Sequence, residues 1–282
     1  MLREYLQLIR FDKPIGTLLL LWPTLWALFF AQSGIPHIKY IVIFALGVFL
    51  TRAAGCVFND LFDSEFDKLV NRTKERPLAS RRINKKNAFF VAIGLSLIAF
   101  ILAIGTLTIN TILLSIPAII LYITYPLFKR FFPIPQAYLG IAYSFGILMA
   151  FMQIDGHING LALTVFFANL FWVIGYDTIY ALVDIDDDVK IGIRTSAITF
   201  GKYVIHMVSL SYFLFISLMA GIGVYLNLKI WYFLGIGLAL ILLNYQILTL
   251  IKNQKEKYFK MFLLNNQVGL TLFFGILLNY LL

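Results

Sequence analysis

Nine long apolar stretches are the feature that most limits what this chain of 282 residues can form. Each stretch is close to the ~20 residues that an α-helix needs to cross the apolar core of a bilayer. The predicted helices, numbered 1 to 9, cover 15–32, 39–58, 87–108, 111–128, 134–153, 158–177, 203–226, 229–250 and 262–281. We therefore predict an all-α integral membrane protein in which residues 1–282 form a single domain, a bundle of about nine transmembrane helices.

The basic residues are distributed unevenly between the two sides of this bundle. Of the 23 Lys and Arg, Lys39 and Lys229 fall on one side and Arg52 falls inside a helix, which leaves 20 on the other side. Short cytoplasmic loops are rich in Lys and Arg, so the N-terminus is predicted to be cytoplasmic. This orientation signal explains the net charge of +9 without a nucleic-acid partner.

Two rows of acidic residues stand where very apolar stretches end. Asp60, Asp63 and Asp67 follow helix 2 at positions i, i+3 and i+7, which is the spacing of one helix face. The second row ends helix 6 with the same kind of spacing, at Asp177, Tyr180, Asp184 and Asp188. Carboxylates are costly near a bilayer, so such clusters are functional candidates by default.

A hard divalent cation is the ligand that best explains the two rows. Like charges on one helix face repel unless a cation lies between them, and ligands that are all oxygen select Mg²⁺ or Ca²⁺. Mg²⁺ usually combines one or two carboxylates with phosphate oxygens of a substrate. We predict that all six aspartates of the rows bind Mg²⁺ beside a diphosphate, and that Asn59 adds a neutral oxygen. The alternative is an acidic helix end that is only solvated, which two spaced rows in an acid-poor chain disfavour.

Basic residues beside the rows indicate how the diphosphate is held. Arg72 and Arg76 follow the first row, Arg194 follows the second, and Lys129 ends helix 4. Arginine is the preferred bidentate partner of phosphate oxygens, so we predict that these residues bind the diphosphate. Arg52, about two turns inside helix 2, needs a buried partner. A protein carboxylate and a bound anion are equally open as that partner.

Helices 2 and 6 lie four helices apart and therefore run in the same direction. Each acidic row is followed by an Arg-Thr pair, at 72–73 and again at 194–195. We predict a weak parallel repeat of four helices with the site where the two halves meet, as in other membrane proteins built from repeats.

Segments 52–67 and 71–80 resemble the first aspartate-rich motif of the UbiA family of membrane prenyltransferases, and 175–188 with 192–196 resemble the second. Segments 10–16 and 125–130 are also similar to that family. They are more similar to the branch that acts on 4-hydroxybenzoate in ubiquinone synthesis than to the haem, menaquinone or chlorophyll branches. One departure is Arg81, which stands where a glycine is usual in the family.

The resemblance implies an aromatic prenyltransferase of the bacterial inner membrane, with its active site facing the cytoplasm. It implies a Mg²⁺-dependent transfer of a polyprenyl chain from polyprenyl diphosphate to the ring of 4-hydroxybenzoate, ortho to the hydroxyl. Arg52 would then pair with the benzoate carboxylate, and Tyr180 would contact substrate. Asp184 or Asp188 would take the proton that the acceptor loses, and Lys129 would help to neutralise the leaving group.

Two alternatives stay open at this point. Another aromatic acceptor would leave the same motifs in place. A transporter coupled to cations or protons could also use carboxylates and repeats within the membrane. Such a transporter predicts acids near the membrane midplane and helices broken by glycine or proline.

Overall fold

The structure, a computed structural model, describes residues 2–128 and 130–282. These residues form eleven α-helices and two short 3₁₀ helices, with no strand in the described ranges. The α-helices are α1 (Leu2–Leu8), α2 (Ile15–Gln32), α3 (Ile38–Asp67), α4 (Lys85–Thr106), α5 (Ile109–Phe128), α6 (Pro135–Ile154), α7 (Gly160–Ile191), α8 (Ser196–Phe200), α9 (Val204–Tyr225), α10 (Ile230–Ile251) and α11 (Tyr258–Leu281). The 3₁₀ helices are Gly201–Tyr203 and Lys255–Lys257.

Nine helical segments of the described chain are long and apolar enough to cross a membrane, which confirms the predicted fold class. They are α2 to α7, α9 together with the short helices before it, α10, and α11 with its preceding 3₁₀ turn. Most helix ends agree with the prediction within a few residues, and α2 agrees at both ends. Helix α1, which the hydropathy pattern does not predict, has seven residues and precedes the first span.

Helices α3 and α7 continue well past the apolar stretches that predicted them. The predicted ends are 58 and 177, whereas α3 has 30 residues and ends at Asp67, and α7 has 32 residues and ends at Ile191. The hydropathy pattern detects only the apolar part of a helix. The backbone hydrogen bonds of the helix can continue through polar residues that tolerate the α-helical conformation. Each helix is ~45 Å long or more, against ~30 Å of apolar core. Asp60, Asp63, Asp67, Asp184 and Asp188 therefore lie beyond the apolar stretches that predicted these helices, while Asp177 lies at the end of its stretch.

Helix α7 lies at the centre of the bundle and packs on α2, α6, α9 and α11. Its Trp172 stacks on Phe215 of α9 with ring centroids 5.4 Å apart, and it contacts Trp26 of α2 at 5.3 Å. The Trp172 indole N–H donates to Asn265 of α11 at 2.9 Å. Because no water reaches such a donor in the bilayer core, the bond helps to fix α7 against α11. The acidic row on α7 is thus carried by a helix that packs on four other spanning helices.

A second, smaller core joins α1 to α3, α4 and the connection between them, residues 68–84, here called the α3–α4 loop. It consists of Leu8, Val57, Leu78, Ile83, Ala88 and Ala92. This core holds the loop beside the end of α3 and so positions Arg72 and Arg76. Within the loop, Arg81 has a φ of 59°, in the left-handed region that favours glycine. This left-handed backbone conformation explains why a glycine is usual at this position in the family.

Candidate active site

The C-terminal parts of α3 and α7 enclose a chamber of about 130 Å³, here called the acidic chamber. Side chains of both rows line it, namely Asn59, Asp63 and Asp67 from α3, and Asp177, Tyr180, Asp184 and Asp188 from α7. Arg72 and Arg76 of the α3–α4 loop and Tyr125 of α5 line it as well. Two rows that are far apart in the sequence thus face one small space.

A larger cavity of about 680 Å³ adjoins the acidic chamber. We call it the tyrosine cavity because it is lined by Tyr122, Tyr125, Tyr143, Tyr176 and Tyr180. Apolar side chains of α2 and α11 also line it, namely Ile15, Leu19, Phe259, Phe262 and Leu263. The side chains that line both spaces are Asn59, Arg72, Arg76, Tyr125, Asp177 and Tyr180. A molecule that spans both spaces would meet carboxylates at one end and aromatic rings at the other.

Arginine side chains balance the charge of the first acidic row. Asp60 is 1% exposed and accepts hydrogen bonds from Arg10 at 2.6 and 2.7 Å and from Arg76 at 3.1 Å. Arg76 also donates to both carboxylate oxygens of Asp67, at 2.9 and 3.1 Å. Burial lowers the pKa of Arg76, but these two carboxylates raise it, and the pKa lies above its usual value. Arg76 is therefore a permanent positive charge between two aspartates.

The α3–α4 loop is tied to the second row through Arg72. The Arg72 Nε donates to both oxygens of Asp184, at 2.9 and 3.0 Å, and its Nη2 donates to the same carboxylate. The guanidinium carbon lies 4.6 Å from the ring centroid of Tyr180, close enough for a cation–π contact. These contacts draw the loop across the acidic chamber from the α3 side to the α7 side.

The donor set of the acidic chamber fits a hard divalent cation. Its candidate ligands are carboxylate, amide and phenol oxygens, the ligand class that Mg²⁺ prefers. Within residues 2–128 and 130–282, no three His, Cys, Asp or Glu side chains are already grouped as a metal site. Arginine forks pair with Asp67 and Asp184 instead. A cation bound to these carboxylates would take over charge that Arg72 and Arg76 now balance.

Arg52 lies at the deep end of the tyrosine cavity. Eight residues of α3 separate its position from Asp60, a helix rise of ~12 Å. Its Nη2 lies against Gly16 of α2, where an added Cβ would come within 2.7 Å. Its Nε is buried and has no hydrogen-bond partner among the described residues. Its Nη1 donates to the Sγ of Cys56, and Tyr122 and Tyr143 line the cavity with it. Among the described ion pairs none joins Arg52 to a carboxylate, which favours a bound anion as its partner.

Several residues that build the site carry little signal in the sequence. Arg10 enters the count of basic residues and the resembling segment 10–16 but is not predicted as a site residue, although it pairs with a buried aspartate. Of the cavity tyrosines only Tyr180 was predicted, although Tyr122 and Tyr125, three residues apart, have the spacing of one helix face. Such spacing is too common in a chain with 16% aromatic residues to mark a cavity by itself.

Two predicted phosphate ligands do not contribute to these walls. Arg194 donates to the backbone carbonyl of Phe131 at 3.0 Å and lines neither the acidic chamber nor the tyrosine cavity. This bond holds the segment that follows α7 to the segment that follows α5. Lys129 lies outside the described residues. A role of Arg194 and Lys129 at a diphosphate stays a prediction.

Known proteins resemble this chain over nearly its whole length. Residues 20–267 match the profile of the UbiA prenyltransferase family. The chain is 50% identical over 281 residues to the 4-hydroxybenzoate octaprenyltransferase of Nitrosomonas eutropha, a match that covers 99% of this chain and 97% of that protein. It is 47% identical over 274 residues to the 4-hydroxybenzoate octaprenyltransferase of Neisseria meningitidis serogroup B, covering 96% of this chain and 92% of that protein.

Solved structures share the fold. A UbiA homologue from Aeropyrum pernix K1 in its apo form superposes with a TM-score of 0.83 at 23% identity, covering 93% of this chain and 97% of that chain. A UbiA homologue from Archaeoglobus fulgidus bound to GPP and Mg²⁺ gives a TM-score of 0.66 at 18% identity, covering 96% and 99%. At these identities the likeness concerns the fold alone.

Proposed function

Since this chain belongs to the UbiA prenyltransferase family and is an aromatic prenyltransferase, we propose that it prenylates 4-hydroxybenzoate in ubiquinone biosynthesis. The donor is a polyprenyl diphosphate, the new bond forms ortho to the hydroxyl, and the reaction requires Mg²⁺. The observation that carries this proposal is an acidic chamber that adjoins a tyrosine cavity with Arg52 at its deep end. Full-length relatives named for this reaction support it.

The diphosphate lies in the acidic chamber under this proposal. The six aspartates of the two rows would hold Mg²⁺, which would supply positive charge that stabilises the diphosphate as a leaving group. Five of them line the acidic chamber, and Asp60 lines the adjoining tyrosine cavity. Arg72 and Arg76 donate to its oxygens, because their planar forks match the geometry of phosphate. Asn59 contributes its amide at the boundary of the two spaces, and Lys129 and Arg194 add charge from the segments that follow α5 and α7.

The acceptor and the first part of the prenyl chain lie in the tyrosine cavity. Arg52 binds the acceptor carboxylate at the deep end, which turns the phenol edge of the ring toward the acidic chamber. The prenyl chain follows the apolar side chains of α2 and α11 and leaves into lipid, since its transfer to water is unfavourable. The aromatic walls stabilise positive charge on the allylic carbon through their π faces and keep water away.

A carboxylate of α7 receives the proton that the ring loses after the new carbon–carbon bond has formed. Asp184 and Asp188, the bases suggested by the sequence, line the acidic chamber only. Asp177 lines both spaces and lies about two helical turns nearer to the acceptor. Position therefore supports Asp177 over Asp184 and Asp188 as the residue that takes the proton.

The proposal is tested with purified protein in lipid, a labelled polyprenyl diphosphate and 4-hydroxybenzoate, with Mg²⁺ or with a chelator. We expect prenylated 4-hydroxybenzoate in the presence of Mg²⁺ and none with the chelator, and the substitution pattern of the product identifies the ring position. Diphosphate release without this product would replace 4-hydroxybenzoate by another aromatic acceptor. A folded preparation that releases no diphosphate would refute prenyl transfer itself.

A methyl group added at Gly55 should disturb the wall of the tyrosine cavity. A Cβ at this position of α3 would overlap the ring of Tyr122, so the ring must shift. We expect Gly55→Ala to lower the free energy of unfolding by about 1–3 kcal/mol through overpacking, and to raise the KM for 4-hydroxybenzoate more than the KM for the diphosphate. Thermal unfolding in detergent and steady-state kinetics measure the two effects.

Gly47→Ala on the same helix is the matched control, because nothing lies within 4 Å of a Cβ at that position. It should leave both KM values unchanged. Identical behaviour of the two variants would show that the contact between Gly55 and Tyr122 does not shape the cavity.

A further inference from the structure

Tyr176 of α7 carries a buried hydroxyl that makes no hydrogen bond to the described residues. The residue is 1% exposed, and its hydroxyl has no hydrogen-bond partner among the described residues. Its ring is well held, since it meets Trp172 edge-on with centroids 5.4 Å apart and lies 6.0 Å from Phe262. A buried polar group without a partner is uncommon and calls for a specific explanation, such as a ligand.

A second unpartnered donor lines the same cavity. The Arg52 Nε is also buried without a hydrogen-bond partner in the described chain, and both Arg52 and Tyr176 line the tyrosine cavity. The contrast is Tyr212, a buried tyrosine of α9 outside the cavity, whose hydroxyl donates to Gln246 at 2.8 Å. Tyr212 shows that a buried tyrosine of this fold can find a partner. Among the described residues, the buried atoms without a partner that line the tyrosine cavity are the Arg52 Nε and the Tyr176 hydroxyl, whereas Asn169 Oδ1 and Gln246 Nε2 lie outside it.

The two donors reach the cavity from two different helices, Arg52 from α3 and Tyr176 from α7. Arg52 lies ~12 Å of helix rise before Asp60, the first aspartate of its row. Tyr176 directly precedes Asp177, the first aspartate of the α7 row, which lines both the acidic chamber and the tyrosine cavity. Arg52 and Tyr176 themselves line the tyrosine cavity and not the acidic chamber.

The Arg52 Nε–H and the Tyr176 O–H together favour a ligand group that only accepts hydrogen bonds. A guanidinium N–H can only donate, and a neutral phenol hydroxyl can donate beside it. A carboxylate offers two oxygens and no donor, so it satisfies both groups at once. We infer that Tyr176 donates a hydrogen bond to the carboxylate of the aromatic acceptor, beside Arg52, and so selects aromatic acids over neutral aromatic compounds. The inference rests on the proposed function and adds a specificity residue to the acceptor end of that site.

The test compares Tyr176→Phe with the matched control Tyr212→Phe. In Tyr176→Phe we expect the KM for 4-hydroxybenzoate to rise about tenfold, as for loss of one hydrogen bond to a charged group. The KM for the diphosphate and kcat should stay within about twofold of the wild type. Tyr212→Phe should leave both KM values unchanged.

Stability separates a binding role from a structural role. The hydroxyl of Tyr176 makes no hydrogen bond to any described residue, so Tyr176→Phe should not lower the Tm. Tyr212→Phe breaks the bond to Gln246 and should lower the Tm. A Tm of Tyr176→Phe that falls as far as that of Tyr212→Phe would show a structural role and overturn the inference.

Direct binding keeps this test independent of turnover. Benzoate carries the carboxylate without the phenol, and we expect its Kd for Tyr176→Phe to be about tenfold weaker than for the wild type. Methyl 4-hydroxybenzoate lacks the negative charge, and its Kd should be the same for both proteins.

An equal benzoate Kd in the two proteins, or no benzoate binding to the wild type, would overturn the inference. An equal loss for benzoate and the methyl ester would place Tyr176 against the ring instead and would also overturn it. A wild-type protein that makes no prenylated 4-hydroxybenzoate would refute the proposed function, while weaker benzoate binding to Tyr176→Phe would still support the carboxylate contact.

Discussion

Asp184→Asn should abolish prenyl transfer, with a fall in kcat of about 10³-fold, the scale of losing one group that stabilises developing charge. The amide keeps the size of the side chain but removes a charge that lines the acidic chamber and pairs with Arg72. The Asp184 side chain is 14% exposed and that of Arg72 is 30% exposed, so the fold should tolerate the change. Product formation from labelled diphosphate at saturating Mg²⁺ measures the effect.

Asp186→Asn is the matched control, because it makes the same charge change two residues away at an exposed position of α7. It should retain activity close to the wild type. Normal turnover in Asp184→Asn would remove the hypothesis that the two rows bind the metal. An equal loss in both variants would mean that only the total negative charge of α7 matters.

Asp60 is a poorer place for the same substitution. It is 1% exposed and pairs with Arg10 and Arg76, and removing one partner from a buried pair costs about 3–5 kcal/mol. Lost activity in Asp60→Asn would therefore combine a folding defect with lost chemistry, a distinction that the sequence alone does not reveal.

Arg52→Ala should raise the KM for 4-hydroxybenzoate by about 100-fold, because it removes the charged donor to the acceptor carboxylate. The KM for the diphosphate should change by less than about threefold, since Arg52 lies ~12 Å of helix rise from Asp60. Steady-state kinetics with each substrate varied in turn measure the two values.

Arg52→Lys separates charge from geometry. Lysine keeps the positive charge but lacks the planar fork, so its KM for 4-hydroxybenzoate should lie between those of the wild type and Arg52→Ala. Equal increases in both KM values for Arg52→Ala would instead place Arg52 at the diphosphate.

The helices were predictable because a bilayer imposes a length on every apolar span. The same criterion fails for α3 and α7, whose polar ends extend to Asp67 and Ile191. It also misses α1, whose seven residues are too few to span. The spacing of the acidic residues contained the missing information, since Asp60, Asp63 and Asp67 fit one face only if the helix continues.

The site was predictable in its residue types but not in its pairings. The sequence identifies both acidic rows and the arginines beside them, yet it treats the arginines as available for phosphate. The structure pairs Arg72 with Asp184 and Arg76 with Asp60 and Asp67. Such pairs depend on how the α3–α4 loop crosses to α7, and sequence spacing carries no information about contacts between segments 112 residues apart.

The location of the acidic rows also bears on the transporter alternative. That alternative predicts carboxylates near the midplane and broken helices. Here α3 and α7 are continuous. The first row lies in the last turns of α3, whereas the second extends from Asp177, near the middle of α7, to Asp188, near its end. The predicted four-helix repeat stays a prediction.

Two aspartates of the first acidic row, Asp60 and Asp67, pair with Arg10 and Arg76, which lie within the first 76 residues of the chain. Asp184 pairs with Arg72, which is synthesised 112 residues earlier. Asp60 and Asp184 each have a counter-charge that is synthesised before them, Arg10 and Arg72, whereas Asp67 pairs with Arg76, nine residues later. As each helix leaves the insertion machinery, these costly carboxylates can therefore be neutralised by residues that are synthesised earlier or within nine residues. The order of synthesis therefore suits the order in which the charges must be matched.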